Sequence, residues 1–216
     1  MRSYFRYISV LFVTASHASY GTEYFAPIPR SYPEVQRNFC GPSTAQSWIE
    51  TLIGWSPSQY WLAYQYSGPL GIGLLGAGTN AAELTTMMNA YAGYRAGYNR
   101  SFYHITIPSQ YQAEASLVSK IKNERRHVAI VSNVIDAYGN VKPDRIGGHW
   151  LLVWSVDISA SSLNWVKVHD PLYYSEWMSD YQTRSLHYRM PASELWSKRW
   201  SRLPALGDKY QAVSWY

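Results

Sequence analysis

Residues 36–44 read Gln36-Arg37-Asn38-Phe39-Cys40-Gly41-Pro42-Ser43-Thr44, and the fold turns on the helix that this stretch opens. Downstream, Ala45, Trp48, Ile49 and Leu52 recur at i, i+3, i+4 and i+7, one apolar face of a helix that Gly54 can close. Pro42 suits the first turn of that helix, because its missing N–H would have no partner there anyway. The chain's single cysteine, Cys40, therefore falls at a helix N-terminus. A thiol is a useful nucleophile only as thiolate, and the positive end of a helix dipole favours that form. The polar neighbours Asn38, Gly41, Ser43 and Thr44 read as a solvated turn, so the expectation is an accessible Cys40 rather than a small buried hydrophobe.

Outward from this point, the segment from Ser19 to Pro33 is rich in Tyr, Pro, Gly and Ser and reads as an irregular lead-in. Ser67 to Gly78 is a glycine-rich loop. Within it Gly71-Ile72-Gly73-Leu74-Leu75-Gly76 spells a dinucleotide fingerprint, but no strand precedes it and no βαβ unit surrounds it, so it reads as a cleft wall. Asn80, with Glu83 three residues on, forms a capping box for a helix through Leu84, Met87, Met88 and Tyr91. A further helix is expected over 112–123, a buried strand over 128–131, a continuous apolar strand over 150–156 and an alternating one over 164–169. Helices precede strands, which is an α+β order.

The chain has 216 residues, 47% of them hydrophobic and 15% charged. That suits one globular domain and excludes an intrinsically disordered chain. One cysteine excludes an intramolecular disulfide and a cysteine-rich zinc site, no metal-ligand spacing appears, and no cofactor is expected. Residues 1–18 have a basic start, an apolar middle and small residues at Ser16 and Ala18. This is the layout of a secretory signal, giving 1–18 as signal peptide, 19–216 as a single domain, and a secreted or periplasmic location. Of the formal charge of +5, Arg2 and Arg6 account for two, so cleavage would leave +3. The remainder is too small to indicate nucleic acid, and no later run approaches the length of a membrane span. The basic residues Lys198, Arg199 and Arg202 interleave with Trp196 and Trp200. They read as solvated surface with packed tryptophans rather than as a base-stacking platform.

A nucleophilic cysteine needs a base, and the base an orienting acceptor. His149 stands between Gly147-Gly148 and the apolar strand, while Asp170 ends the next strand. If the two strands are antiparallel neighbours, the carboxylate can reach the far ring nitrogen of His149. His169 is the runner-up, but adjacent residues of a strand point to opposite faces. His127 follows Arg125-Arg126, which disfavours a base, and His104 and His187 lie in tyrosine-rich segments without a partner pattern.

These segments, in order, resemble the papain-like cysteine peptidases, most closely their C39-like and AvrRpt2-like branches. The resemblance rests on Gln36 to Ser43, Gly76 to Asn80, Arg126 to Ile130, Gly148-His149-Trp150-Leu151-Leu152-Val153 and Val168-His169-Asp170-Pro171-Leu172. It implies a papain-like α+β fold, with nucleophile-bearing helices packed on a C-terminal antiparallel sheet. It also implies Cys40 as nucleophile, His149 as general base and acid, Asp170 as its orienting partner, and Gln36 as the side-chain donor of the oxyanion hole. Gln36 lies closer to the cysteine than the family pattern usually has it, and Asn38 is the alternative. The expected activity is amide hydrolysis through a thioester, on a protein, a peptide or a peptidoglycan stem peptide, in a secreted enzyme or effector toxin. A cognate inhibitor or immunity protein is a further expected partner. Peptidoglycan amidase, deamidase or transglutaminase chemistry on the same triad, and a non-catalytic binding module, are the alternatives.

Overall fold

The computed structural model describes residues 21–36, 38–66, 78–93, 101–136, 138, 140–142, 148–174, 186–200, 202–203 and 209–215. The signal-peptide expectation over 1–18 and the glycine-rich stretch Gly71–Gly76 lie outside them.

Five α-helices and eight strands occur in the described residues. The helices are α1 (Cys40–Ile53), α2 (Gln59–Tyr66), α3 (Ala81–Met88), α4 (Gln110–Lys122) and the short α5 (Ala192–Glu194). The strands are β1 (Thr22–Phe25), β2 (Phe102–Ile107), β3 (Val128–Ser132), β4 (His149–Ser159), β5 (Ser162–His169), β6 (His187–Pro191), β7 (Arg202–Leu203) and β8 (Lys209–Trp215). They form one antiparallel sheet in the order β2-β8-β3-β4-β5-β6, with β7 beside β8 and β1 beside the outer half of β4. The molecule is therefore α+β, helices packed on an antiparallel sheet.

Strand alternation builds two cores. Ala129, Val131, Trp150, Leu152 and Val213 face α1 and α3, whereas Val128, Ile130, Leu151, Val153 and Ala212 face α4. Strands covered on both sides must be apolar throughout, which is why β3 and the inner part of β4 read as unbroken hydrophobic runs. Trp48 of α1 is fully buried and packs edge-on to Phe102 at 5.2 Å between ring centres. Truncating such a ring to alanine costs roughly 3–5 kcal/mol.

α1 begins at Cys40 and ends at Gly54, whose φ of 75° is left-handed and whose N–H returns to the Glu50 carbonyl at 2.8 Å. The Asn80–Glu83 capping box opens α3 as its residues require. The irregular lead-in over 19–33 is corrected by β1, a strand created by its pairing with β4 (Thr22 opposite Ile158, Phe25 opposite Ser155) rather than by its own pattern. α2 has no clear signature in the sequence because only Gln59, Leu62 and Ala63 turn inward, while Tyr60, Trp61 and Tyr64 are exposed and mask the periodicity. The expected solvated surface around Lys198 is revised at one position, Arg199, while Trp200 packs as expected. Arg199 is buried and ion-paired with Glu194 at 3.3 Å, and Trp200 is buried between Trp196 and Tyr210.

Candidate active site

β4 and β5 are antiparallel neighbours, with Leu152 opposite His169, so the start of β4 lies beside the end of β5. This puts His149 Nε2 2.8 Å from Asp170 Oδ1, across 21 residues of chain. The carboxylate is held further by the Leu172 N–H at 3.1 Å and by the Tyr188 hydroxyl, which donates to Oδ2 at 3.2 Å. Burial alone would raise the Asp170 pKa, but the His149 ring, its hydrogen bond, the Arg199 charge and the Leu172 N–H outweigh that. Together they hold the carboxyl well below the usual carboxylate range. An ionised carboxylate can only accept, so Nε2 donates and the neutral ring keeps its lone pair on Nδ1. His149 is itself 1% exposed.

Cys40 shares a cavity with the two residues that flank His149. A cavity of about 280 Å³ is lined by Cys40, Gly148 and Trp150, with Asn38, Thr79 and Asn80 on its other walls. The backbones of Trp150 and Gly41 hydrogen-bond to the thiol and favour its ionised form, and the Asp170 and Glu34 carboxyls act on it electrostatically in the opposite sense. The expectation of a solvated Cys40 is corrected. The residue is 4% exposed, and burial first, then Glu34, push the thiol up to about 12. Among its polar neighbours, Ser43 is bonded inside the fold rather than solvated. Ser43 Oγ donates to the Tyr32 carbonyl at 2.6 Å, and Ser43 and Thr44 are fully buried. A Cβ at Gly41 would stand 2.3 Å from Thr79 Cβ, so the helix N-terminus and the cavity wall touch there.

The Gln36 carbonyl accepts from Phe39 N–H at 3.0 Å, closing a turn in which Asn38 adopts φ 72°. Asparagine tolerates that left-handed conformation. Asn38 lines the Cys40 cavity, and Gln36, half-buried, does not.

The remaining histidines have other work. His169 is fully buried, its Nε2 3.0 Å from Ser47 Oγ on α1, and burial, with the neighbouring His187 and His149 rings, pulls its pKa down to about 3. His127 is fully buried with Nε2 donating to the Pro27 carbonyl at 2.7 Å, and burial lowers it to about 4. His104 is on the exposed side of β2.

Two residues near the site carry no signal in the sequence. Tyr188 on β6 reaches Asp170 only through sheet pairing, and Glu34 directly follows the lead-in that ends at Pro33. Among the described residues, no group of three or more His, Cys, Asp or Glu could hold a metal ion, and no helix is long and apolar enough to cross a membrane.

No family model and no curated protein matches this chain. Among solved structures, it is similar to a double glycine motif protease from an AMS/PCAT transporter, crystallised in complex with the leader peptide. The TM-score is 0.39 and the identity 9%, covering 88% of this chain and 94% of that one.

Proposed function

We propose that this chain is a papain-like cysteine hydrolase that cleaves amide bonds in a peptide or protein through Cys40, His149 and Asp170. The observation that carries the reading is the buried His149–Asp170 hydrogen bond at 2.8 Å, made at the β4 end whose next residues share a cavity with a cysteine at a helix N-terminus.

The thiol rests protonated, because burial disfavours its anion. Proton transfer therefore accompanies attack: as the Cys40 sulfur bonds to the carbonyl carbon, its proton passes to His149 Nδ1. Asp170 stabilises the imidazolium that results. The carbonyl oxygen becomes an oxyanion, for which the Cys40 N–H and the side chain of Asn38, which lines the cavity, are the donors, a side chain of this kind contributing roughly 3 kcal/mol. Collapse returns the proton from Nδ1 to the leaving amine and leaves a thioester. Water, giving a proton to His149 Nδ1, then attacks the thioester carbon; the C–S bond breaks, the Cys40 sulfur takes that proton back, and the acid is released.

The test is the rate at which iodoacetamide alkylates Cys40 near neutral pH, together with turnover of a casein or peptidoglycan-peptide substrate followed by mass spectrometry. His149→Ala is expected to slow alkylation, and Cys40→Ala to abolish turnover. Equal alkylation rates with and without His149, or turnover surviving in Cys40→Ala, would overturn the reading.

A further inference from the structure

Alternate residues of β8 serve different cores. Tyr210 and Ala212 pack on the α4 side, whereas Val213 and Trp215 pack on the side that holds Cys40, α1 and α3. Gln211 falls on the second face, two residues before Val213, where the pattern calls for an apolar side chain. Its backbone is fixed twice over: the residue pairs with Thr106 of β2, and its carbonyl accepts from Trp200 Nε1 at 3.2 Å. The side chain therefore cannot leave that face. Gln211 lines the Cys40 cavity, half-buried, and its amide makes no hydrogen bond among the described residues. An amide on a core-facing strand position without an internal partner weakens the fold relative to an apolar residue, so packing does not account for it.

Asn80 stands on another wall of the cavity. Its Oδ1 is committed to the Glu83 N–H at 3.0 Å by the α3 cap, which leaves Nδ2, unbonded among the described residues, as the group it offers. Val131, Trp150 and Leu203 supply apolar surface, and no Asp, Glu, Lys, Arg or His side chain of the described residues lines the cavity. A charged side chain entering it would give up water without meeting an opposite charge, and an ammonium has no use for the Asn80 donor. An aliphatic side chain would leave the Gln211 amide unpaired. A carboxamide suits all the walls: its oxygen accepts from Asn80 Nδ2 or Gln211 Nε2, its N–H donates to Gln211 Oε1, and its methylenes lie on the apolar surface.

We infer that Gln211 is a specificity-determining residue whose amide reads a carboxamide side chain of the substrate, so that the preferred peptide carries Gln or Asn beside the bond that Cys40 attacks. The inference rests on the hydrolase reading above. It narrows the substrate from any peptide to one with an uncharged, hydrogen-bonding side chain at the nucleophile.

The experiment measures alkylation of Cys40 in the full chain by the N-iodoacetyl derivatives of glutamine amide, methionine amide and glutamate α-amide, each rate divided by that for free cysteine. The three probes share one reactive carbon and differ only in the side chain. The wild type is expected to react with the glutamine probe about tenfold faster than with the methionine probe, the effect of two neutral hydrogen bonds, and faster than with the glutamate probe by at least as much. Gln211→Met should bring the glutamine-to-methionine ratio close to one. A residue that only supported the strand would, on replacement, change all three rates by the same factor, and an unchanged ratio overturns the inference. If the variant does not fold, the wild type decides alone, because equal rates with the glutamine and methionine probes also overturn it. His149→Ala should slow all three probes alike. If it does so while Gln211→Met keeps the wild-type ratio, the role of Gln211 fails and the hydrolase reading stands. If His149→Ala leaves the rates unchanged, the hydrolase reading fails and the role of Gln211 falls with it.

Discussion

His149 and Asp170 lie 21 residues apart in the chain, yet their side chains meet at 2.8 Å, because the β4–β5 hairpin folds the start of one strand against the end of the next. A register slip of one residue would send the two side chains to different faces of the sheet. The hairpin pairing, which places Val153 opposite Val168 and Leu152 opposite His169, is thus part of the site. The Leu172 N–H and the Tyr188 hydroxyl hold the carboxylate from the far side, so its orientation is decided by three elements at once.

Asp170→Asn should leave the fold in place and remove the tautomer control. An amide can donate to Nε2, which moves the ring proton to Nδ1, where the thiol proton must be accepted. The expected loss in kcat/KM is on the order of a thousandfold or more. Activity within tenfold of wild type would show that Asp170 does not orient His149.

Gly41→Ala weighs two opposing terms. Replacing a helical glycine gains roughly 1 kcal/mol of propensity. The new Cβ, however, would stand 2.3 Å from Thr79 Cβ and 2.4 Å from its Oγ1, and rotation of the threonine does not move its Cβ away. The clash wins, with an expected net destabilisation of about 2 kcal/mol in urea unfolding. Activity should fall as well, because the Gly41 backbone bonds to the Cys40 thiol. Adding Thr79→Gly to the variant should recover most of the stability.

His127 sets an acid limit on the fold. Burial lowers its folded pKa from 6.5 to about 4, so the unfolded chain binds more protons between those values. Stability is then fully present above about pH 6.5 and is lost as pH falls toward about 4, by an amount on the order of 3 kcal/mol from this residue. His169 acts in the same direction over a window reaching about 3. Thermal melts from neutral to acid pH should show a falling midpoint. His127→Gln, which keeps a donor for the Pro27 carbonyl, should flatten that fall, and an unchanged slope would rule His127 out as a contributor.

Asn80 caps α3 by accepting from Glu83 N–H at 3.0 Å, and also lines the cavity beside Cys40. Asn80→Ala should cost about 1 kcal/mol of stability. Asn80→Asp should keep the cap, so denaturant midpoints close to wild type are expected for it. Comparing the two variants in peptide turnover separates the cap from the cavity wall: a KM change in Asn80→Asp without a shift in midpoint belongs to the wall.

Much of the frame was legible in the chain itself. The face made by Ala45, Trp48 and Ile49 ends at Gly54, the Asn80–Glu83 box opens α3, and the apolar run after His149 is a strand buried on both sides. These depend on local periodicity and capping, which are written in consecutive residues. The α+β order and the choice of Cys40, His149 and Asp170 as candidates come from the same source.

Burial and juxtaposition were decided only in three dimensions. Polar neighbours made Cys40 look solvated, but Ser43 is bonded inward, Thr44 is fully buried and the thiol is covered. β1 exists because β4 offers an edge, and α2 hides behind its own exposed aromatics. Glu34 carries no signal in the chain, and its neighbourhood is set when Ser43, Gln59 and Pro171 hold the backbone of Tyr32, Pro33 and Glu34. The physical reason is common to all four: a residue's exposure and charge state depend on which distant segments cover it. Periodicity reports only which way a residue points along its own element.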